Sequence, residues 1–276
     1  MMEKNMHEGK EASSSYVSWS PEVQNDWIKA QDSLKRKLIT EDDFKWKLPT
    51  TQQALGGKED AEESSGVLKY VGGVDLSFSK DDPSIACGIL VVLDLQTLRV
   101  VYEDFSIVRL NIPYVPGFLA FREAPVLLEL LQKMKKNIHP YYPQLLMVDG
   151  NGLLHPRGIG LACHLGVQVN IPTIGVGKNL HHVDGLTQSR VRKLFEAKGN
   201  LMKDMITLIG ESGRTLGAAM RSTQSSFKPI FISVGHRISL ATAIKIMEIS
   251  CKYRVPEPIR QADIRSRDYL RKHQIV

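Results

Sequence analysis

Apolar and polar positions along the 276-residue chain change rhythm twice. Ser20-Pro21-Glu22 supplies a capping hydroxyl and a proline suited to a helix start. Val23, Trp27, Ala30, Leu34 and Leu38 follow at spacings of four, three, four and four, so this helix presents an apolar stripe and docks on something. From Tyr70 the period drops to two. Tyr70–Ser79, Ile85–Leu93 and Leu98–Val108 read as strands, and the connections Lys80–Ser84 and Asp94–Thr97 are too short for a parallel crossover, which predicts an antiparallel meander. Beyond residue 116 helices and strands alternate. Helices are predicted at Phe118–Lys135, Arg157–Leu165, Ser239–Cys251 and about Pro258–Lys272, and strands at Leu145–Asp149, Pro172–Gly175, Met205–Ile209, Thr215–Met220 and Ile230–Val234. A meander followed by this alternation predicts an α/β fold, a mixed sheet with helices on its faces. Residues 1–19 read as a disordered extension. Residues 20–276 read as one domain, made of a helical region at 20–48, an acidic loop at 50–66 and a core at 67–276.

Composition narrows the class. Hydrophobic residues make up 42% and charged residues 24%, which suits a folded globular protein. No apolar run approaches the ~18 residues of a membrane helix. Met1–Ser15 carries acids and no apolar segment, unlike a secretory signal or a typical transit peptide. Cys87, Cys163 and Cys251 are far apart and form no Cys-x-x-Cys pair, which argues for a reducing compartment rather than a disulfide scaffold or a zinc-thiolate site. Residues 1–66 hold 9 Lys+Arg against 13 Asp+Glu, and the remainder 27 against 17, so the net charge of +6 comes from the body of the chain. A basic body points to a polyanionic partner, with scattered surface lysines as the alternative.

Three acids attract attention. In the first strand Tyr70, Gly72, Val74, Leu76 and Phe78 share one face, and Val71, Gly73, Asp75, Ser77 and Ser79 the other. Asp75 is a lone carboxylate among small residues that leave room for a backbone or a metal, or else a solvent-exposed acid on a half-open sheet. Asp149 ends a short apolar strand, where α/β sheets gather ligands, or simply terminates it in an Asp-Gly turn. Glu123 lies near the start of an apolar helix, where the helix dipole alone would favour it. Gly175-Val176-Gly177-Lys178 lacks the earlier glycine and the hydroxyl of a phosphate loop, and Gly150-Asn151-Gly152 lacks the third glycine of a dinucleotide fingerprint. His181-His182 reads as a solvated loop. Cys163 and His164 are neighbours on a helix and so point apart, one to the core and one to the surface.

Taken together, these segments resemble the endonuclease V family, animal type. The likeness rests on Val71-Gly72-Gly73-Val74-Asp75-Leu76-Ser77-Phe78, Pro113-Tyr114-Val115-Pro116-Gly117-Phe118-Leu119-Ala120-Phe121-Arg122-Glu123, Val148-Asp149-Gly150-Asn151-Gly152 with His155-Pro156-Arg157-Gly158, Gly175-Val176-Gly177-Lys178, Ser233-Val234-Gly235-His236-Arg237-Ile238-Ser239-Leu240, and the tail from Arg254 to Arg265. The resemblance implies a ribonuclease-H-like fold. It also implies an endonuclease that cuts inosine-containing single-stranded RNA, and deoxyinosine-containing DNA, at the second phosphodiester 3′ to the modified base, leaving 5′-phosphate and 3′-hydroxyl ends. Asp75, Glu123 and Asp149 match the family's metal-binding acids, with Mg²⁺ as cofactor and Mn²⁺ able to substitute. His236 matches its active-site histidine, and Lys178 is expected on the phosphate. Pro113, Tyr114, Val115 and Pro116 match the family's wedge beside the target base, and Gly117, Leu119, Gly150 and Leu161, with His155 nearby, its base pocket. The resemblance further implies a monomer of the cytoplasm and nucleus with no membrane partner. A non-cleaving inosine reader, a DNA-repair endonuclease, or a ribonuclease-H-like phosphodiesterase with other base selection are the rival readings.

Overall fold

The computed structural model describes residues 20–49, 66–197, 205–223, 228–273 and 275. The extension expected at 1–19 and nearly all of the acidic loop expected at 50–66 lie outside the described residues. Helix α1 (Pro21–Lys35) starts where the sequence places it, with the Ser20 hydroxyl accepting from Val23 N at 3.4 Å. Strands β1 (Tyr70–Phe78), β2 (Ile85–Asp94) and β3 (Val100–Arg109) form the predicted antiparallel meander. Helix α2 (Leu119–Lys136), β4 (Leu145–Asp149), helix α3 (Leu161–Val169) and β5 (Thr173–Gly177) follow. Helix α4 (Gln188–Ala197), β6 (Met205–Ile209), β7 (Thr215–Met220), β8 (Ile230–His236), helix α5 (Leu240–Ser250) and helix α6 (Glu257–Lys272) complete the order.

All eight strands join one sheet in the order β3-β2-β1-β4-β5-β8-β7-β6. Parallel pairing of β1 with β4 and of β4 with β5 puts the ends of three strands on one rim. One face packs Val71, Met147, Val176 and Ile232 against Ile246 of α5 and Ile259 of α6; the other packs Val74, Leu90 and Val148 against Leu127 of α2 and Leu165 of α3. This antiparallel-then-parallel sheet between helices is the mixed α/β, ribonuclease-H-like arrangement expected. No helix among the described residues is long and apolar enough to cross a membrane.

Two elements depart from expectation. Helix α3 begins four residues later than predicted, because a turn closed by Gly158 N–H onto the His155 carbonyl (2.7 Å) occupies the preceding segment. Helix α4 is absent from the sequence reading; it buries only Val191 and Phe195, one turn apart, too narrow a stripe to announce itself.

Candidate active site

The small face of β1 exists to admit α6. A Cβ on Gly73 would stand 2.2 Å from the Pro258 carbonyl oxygen, so only glycine lets the helix backbone approach. Farther along, the Ser77 and Ser266 hydroxyls hydrogen-bond at 2.7 Å. Asp75 therefore lies under a helix rather than on open sheet. Pairing of Val74 with Val148 brings Asp75 and Asp149 to the same rim, one residue past that pair. Lys178, directly after β5, closes the group. Its Nζ donates to Asp149 Oδ2 at 2.6 Å and lies 3.7 Å from Asp263 Oδ1 of α6. Arg267, one turn along α6, donates to the same Asp263 oxygen at 2.7 Å.

Three carboxylates thus surround one half-buried ammonium. Burial, the Asp149 charge and the Asp263 charge push Asp75 well above the ordinary carboxylate range, while Lys178 opposes them. Burial works against the charged form of Lys178, but Asp149, Asp75 and Asp263 outweigh it and hold the ammonium above its usual value. Asp263 is the member of this cluster that the sequence reading missed. Its signal lies in α6, where Ile259, Ala262, Ser266 and Leu270 are buried and Asp263 adjoins that stripe.

Asp75 and Asp149 of the expected acid trio meet on this rim, and Asp263 joins them through Lys178. Glu123 approaches from α2, on the opposite face of the sheet. It is 8% exposed and burial raises it to about 7, with Arg122 lowering and Asp149 raising it. Among the described residues no three acidic, imidazole or thiol groups stand close enough to grip an ion as they are, and Lys178 occupies that role electrostatically. The donor chemistry nonetheless fits a hard divalent cation: oxygen-only ligands, surplus negative charge, and a desolvated Asp75 whose ionised form lacks sufficient positive charge nearby.

His236, expected beside the acids, stands apart from them. Because β8 runs antiparallel to β5, His236 pairs with Thr173 at the start of β5, whereas Asp149 pairs with Val176 near its end. His236 is buried, and its Nδ1 accepts from Ile39 N at 3.3 Å. Burial and Arg237 lower its pKa, with Asp43 opposing. It ties the segment after α1 to the sheet, away from the carboxylates. His164 departs too: it is 4% exposed, edge-on to Phe121, and burial lowers it to about 4. His181 and His182 are exposed as expected.

The expected pocket residues do assemble. Gly117, Leu119, Gly150, Leu161, His155 and Tyr114 line a cavity of about 180 Å³, with Pro116 at its edge. Tyr114 is 59% exposed on the loop between β3 and α2, and Pro113 and Pro116 flanking it are exposed as well. Val115 is half-buried and its carbonyl accepts from Phe118 N at 3.0 Å, closing the turn. Burial, then the Arg157 and His181 charges, lower His155 to about 4, so it is neutral at physiological pH. A second residue missed from sequence braces this pocket. Gln31 of α1 is fully buried; its Nε2 donates to the Gly117 carbonyl at 2.9 Å and its Oε1 accepts from Arg157 Nε at 2.5 Å. Gly117 holds a φ of +83°, a conformation that directs this carbonyl at little steric cost only in glycine.

The family model of endonuclease V matches residues 52–264. The chain belongs to the endonuclease V family. Mouse endonuclease V is 47% identical over 250 residues, covering 89% of this chain and 69% of the mouse protein; the human protein is 45% identical over 250 residues, covering 89% and 83%. The crystal structure of the human endonuclease V catalytic domain superposes with a TM-score of 0.81 at 43% identity, covering 93% of this chain and 99% of that one. Endonuclease V of Ciona intestinalis, crystallised with a 23mer DNA containing an inosine followed by a ribo-adenosine, gives 0.80 at 34% identity, covering 92% and 99%. As a member of the endonuclease V family the chain is a nuclease.

Proposed function

We propose that this protein is a divalent-metal-dependent endonuclease that recognises inosine in single-stranded RNA, and deoxyinosine in DNA. In this reading it cuts the second phosphodiester on the 3′ side and leaves 5′-phosphate and 3′-hydroxyl ends. The observation that carries the reading is adjacency. Asp149 belongs to the acid cluster, and Gly150, the next residue, lines the pocket under the exposed Tyr114. A base drawn out of its stack into that pocket leaves its strand lying across the carboxylates. The Ciona relative's inosine-bearing DNA supports the choice of base.

Asp75 and Asp149 would hold the cation, with Glu123 supporting Asp149 from the α2 side; the cation would neutralise phosphate charge and lower the pKa of attacking water. Lys178, whose ammonium donates to Asp149 on the same rim, would place it on the phosphate or the departing oxygen. Asp263 keeps that ammonium on the rim. Tyr114, stiffened by two prolines, fills the space beside the extruded base. The Gly150 N–H is already given to the Val176 carbonyl at 3.1 Å, so the backbone at Gly117 and the carbonyl of Gly150 would meet the N1 donor and O6 acceptor of hypoxanthine, a polarity adenine lacks.

Matched RNA and DNA strands carrying one inosine, incubated with Mg²⁺ or Mn²⁺ and mapped by product length and end chemistry, test this directly. A single cut at the stated bond with 5′-phosphate ends is expected, with RNA the faster substrate. Cutting elsewhere would remove the positional claim, and uniform cutting of inosine and adenosine strands the recognition claim. A non-cleaving reader would bind both before and after Asp75→Ala and never cut.

A further inference from the structure

Beyond Lys178 the rim drops into a second cavity of about 430 Å³ that the chemistry above does not use. Its floor is apolar, with Phe195 of α4 and Phe231 of β8 packed beneath it. Its walls carry Arg192, Arg221, Lys228 and Arg254, and no acidic side chain lines it among the described residues. Arg254 is built in: Nη2 donates to the Lys178 carbonyl at 2.7 Å and to the Pro229 carbonyl at 3.0 Å, and Nε to the Lys228 carbonyl at 3.1 Å. Arg221 lies over the Phe195 ring at 4.8 Å from its centre, and its buried Nε has no hydrogen-bond partner among the described residues. Arg192 pairs with Glu196 at 3.5 Å on an exposed helix face, a contact that exchanges readily with solvent or a ligand anion.

Sheet order places this groove. The base pocket hangs on the end of β4, Lys178 ends β5, and the groove is formed where β8 begins and β7 ends. Lys178 therefore stands between the two cavities. Asn179, the next residue, lines the groove, and Arg254 grips the Lys178 carbonyl. A strand with one base in the pocket and its phosphate at Lys178 has a continuous path into the groove.

We propose that this groove is a nucleotide subsite that takes the strand on the 3′ side of the cut. Four cations meet its phosphates, and the guanidinium laid over Phe195 offers a flat face to a base. The subsite rests on the reading of the pocket and the cut given above.

Two inosine strands of identical 5′ sequence decide it, one ending at the first nucleotide 3′ of the cut and one continuing several nucleotides further. The wild type is expected to show a lower KM for the longer strand. Arg192→Gln combined with Lys228→Gln raises KM for the longer strand by about tenfold with kcat unchanged, and leaves both constants for the shorter strand as they were. The dependence of log K on log salt for the longer strand falls by about 1.4, the value for two lost phosphate contacts on single strands. Equal KM values for the two strands in the wild type, or equal losses on both in the double variant, overturn the subsite while leaving inosine cleavage standing. Equal competition by polyglutamate of matched charge overturns the nucleotide assignment in favour of an acidic peptide. Absence of inosine cleavage by the wild type removes the reading and the subsite together.

Discussion

Gln31→Met separates the brace of the base pocket from the packing of α1. Methionine keeps the length and volume of the side chain and loses both hydrogen bonds. The Gly117 carbonyl and Arg157 Nε then face a thioether, and each desolvated group left unpaired costs about 1–3 kcal/mol. Arg157 retains Asp32 at 3.1 Å, and Lys35 still donates to the Arg157 carbonyl at 3.0 Å, so α1 stays attached. Both groups are only half-buried, so the expected loss lies in the lower part of the summed range of about 2–6 kcal/mol, at about 2–4 kcal/mol, read as a lower urea midpoint at unchanged slope. Because Gly117 lines the pocket and its carbonyl is held by Gln31, affinity for an inosine strand should fall about tenfold, about 1.4 kcal/mol, with affinity for the unmodified strand unchanged. A stability change under about 0.5 kcal/mol with unaltered inosine preference would show that Gln31 merely fills space and that its two contacts carry little energy.

Asp263→Asn should lower kcat by about 10–100-fold with little change in KM, as loss of a supporting partner does; single-turnover cleavage against substrate titration checks it. Tyr114→Ala should weaken inosine-strand binding by about 1–3 kcal/mol, measured by fluorescence anisotropy, since the ring is exposed and free to stack. His164 is buried with a pKa near 4 against about 6.5 in the unfolded chain, so the unfolded state takes up a proton first as pH falls. Stability from this residue is complete above about 6.5 and is lost progressively toward 4. His164→Met should therefore flatten the slope of unfolding free energy against pH by about 1.4 kcal/mol per unit across that window, in urea melts at stepped pH.

Much of this was legible because strand patterning is local. The alternation in β1 assigns Asp75 to the small face, and the short connections dictate the meander. Asp263 and Gln31 escaped for a shared reason. Each is a polar residue on a helical stripe of apolar positions: Gln31 sits between Trp27 and Leu34, and Asp263 beside Ile259 and Ala262. The stripe shows that such a side chain faces the interior, but its partners come from segments 85 or more residues away in Gly117 and in Lys178. The position of His236 was not legible because a motif does not state strand direction, and antiparallel β8 carries it to the far end of β5. The late start of α3 reflects a turn whose hydrogen bonds compete with the helix.

The most direct test of the account compares Asp149→Asn with the wild type on matched strands bearing inosine or guanosine at one position, in Mg²⁺, with binding and cutting measured on the same samples. The account predicts that the wild type cuts only the inosine strand, while the variant binds that strand with similar affinity and leaves it intact. Cutting by the variant at the wild-type rate, or equal cutting of the guanosine strand by the wild type, would contradict the claim that a base pocket and a carboxylate centre meet at Asp149 and Gly150.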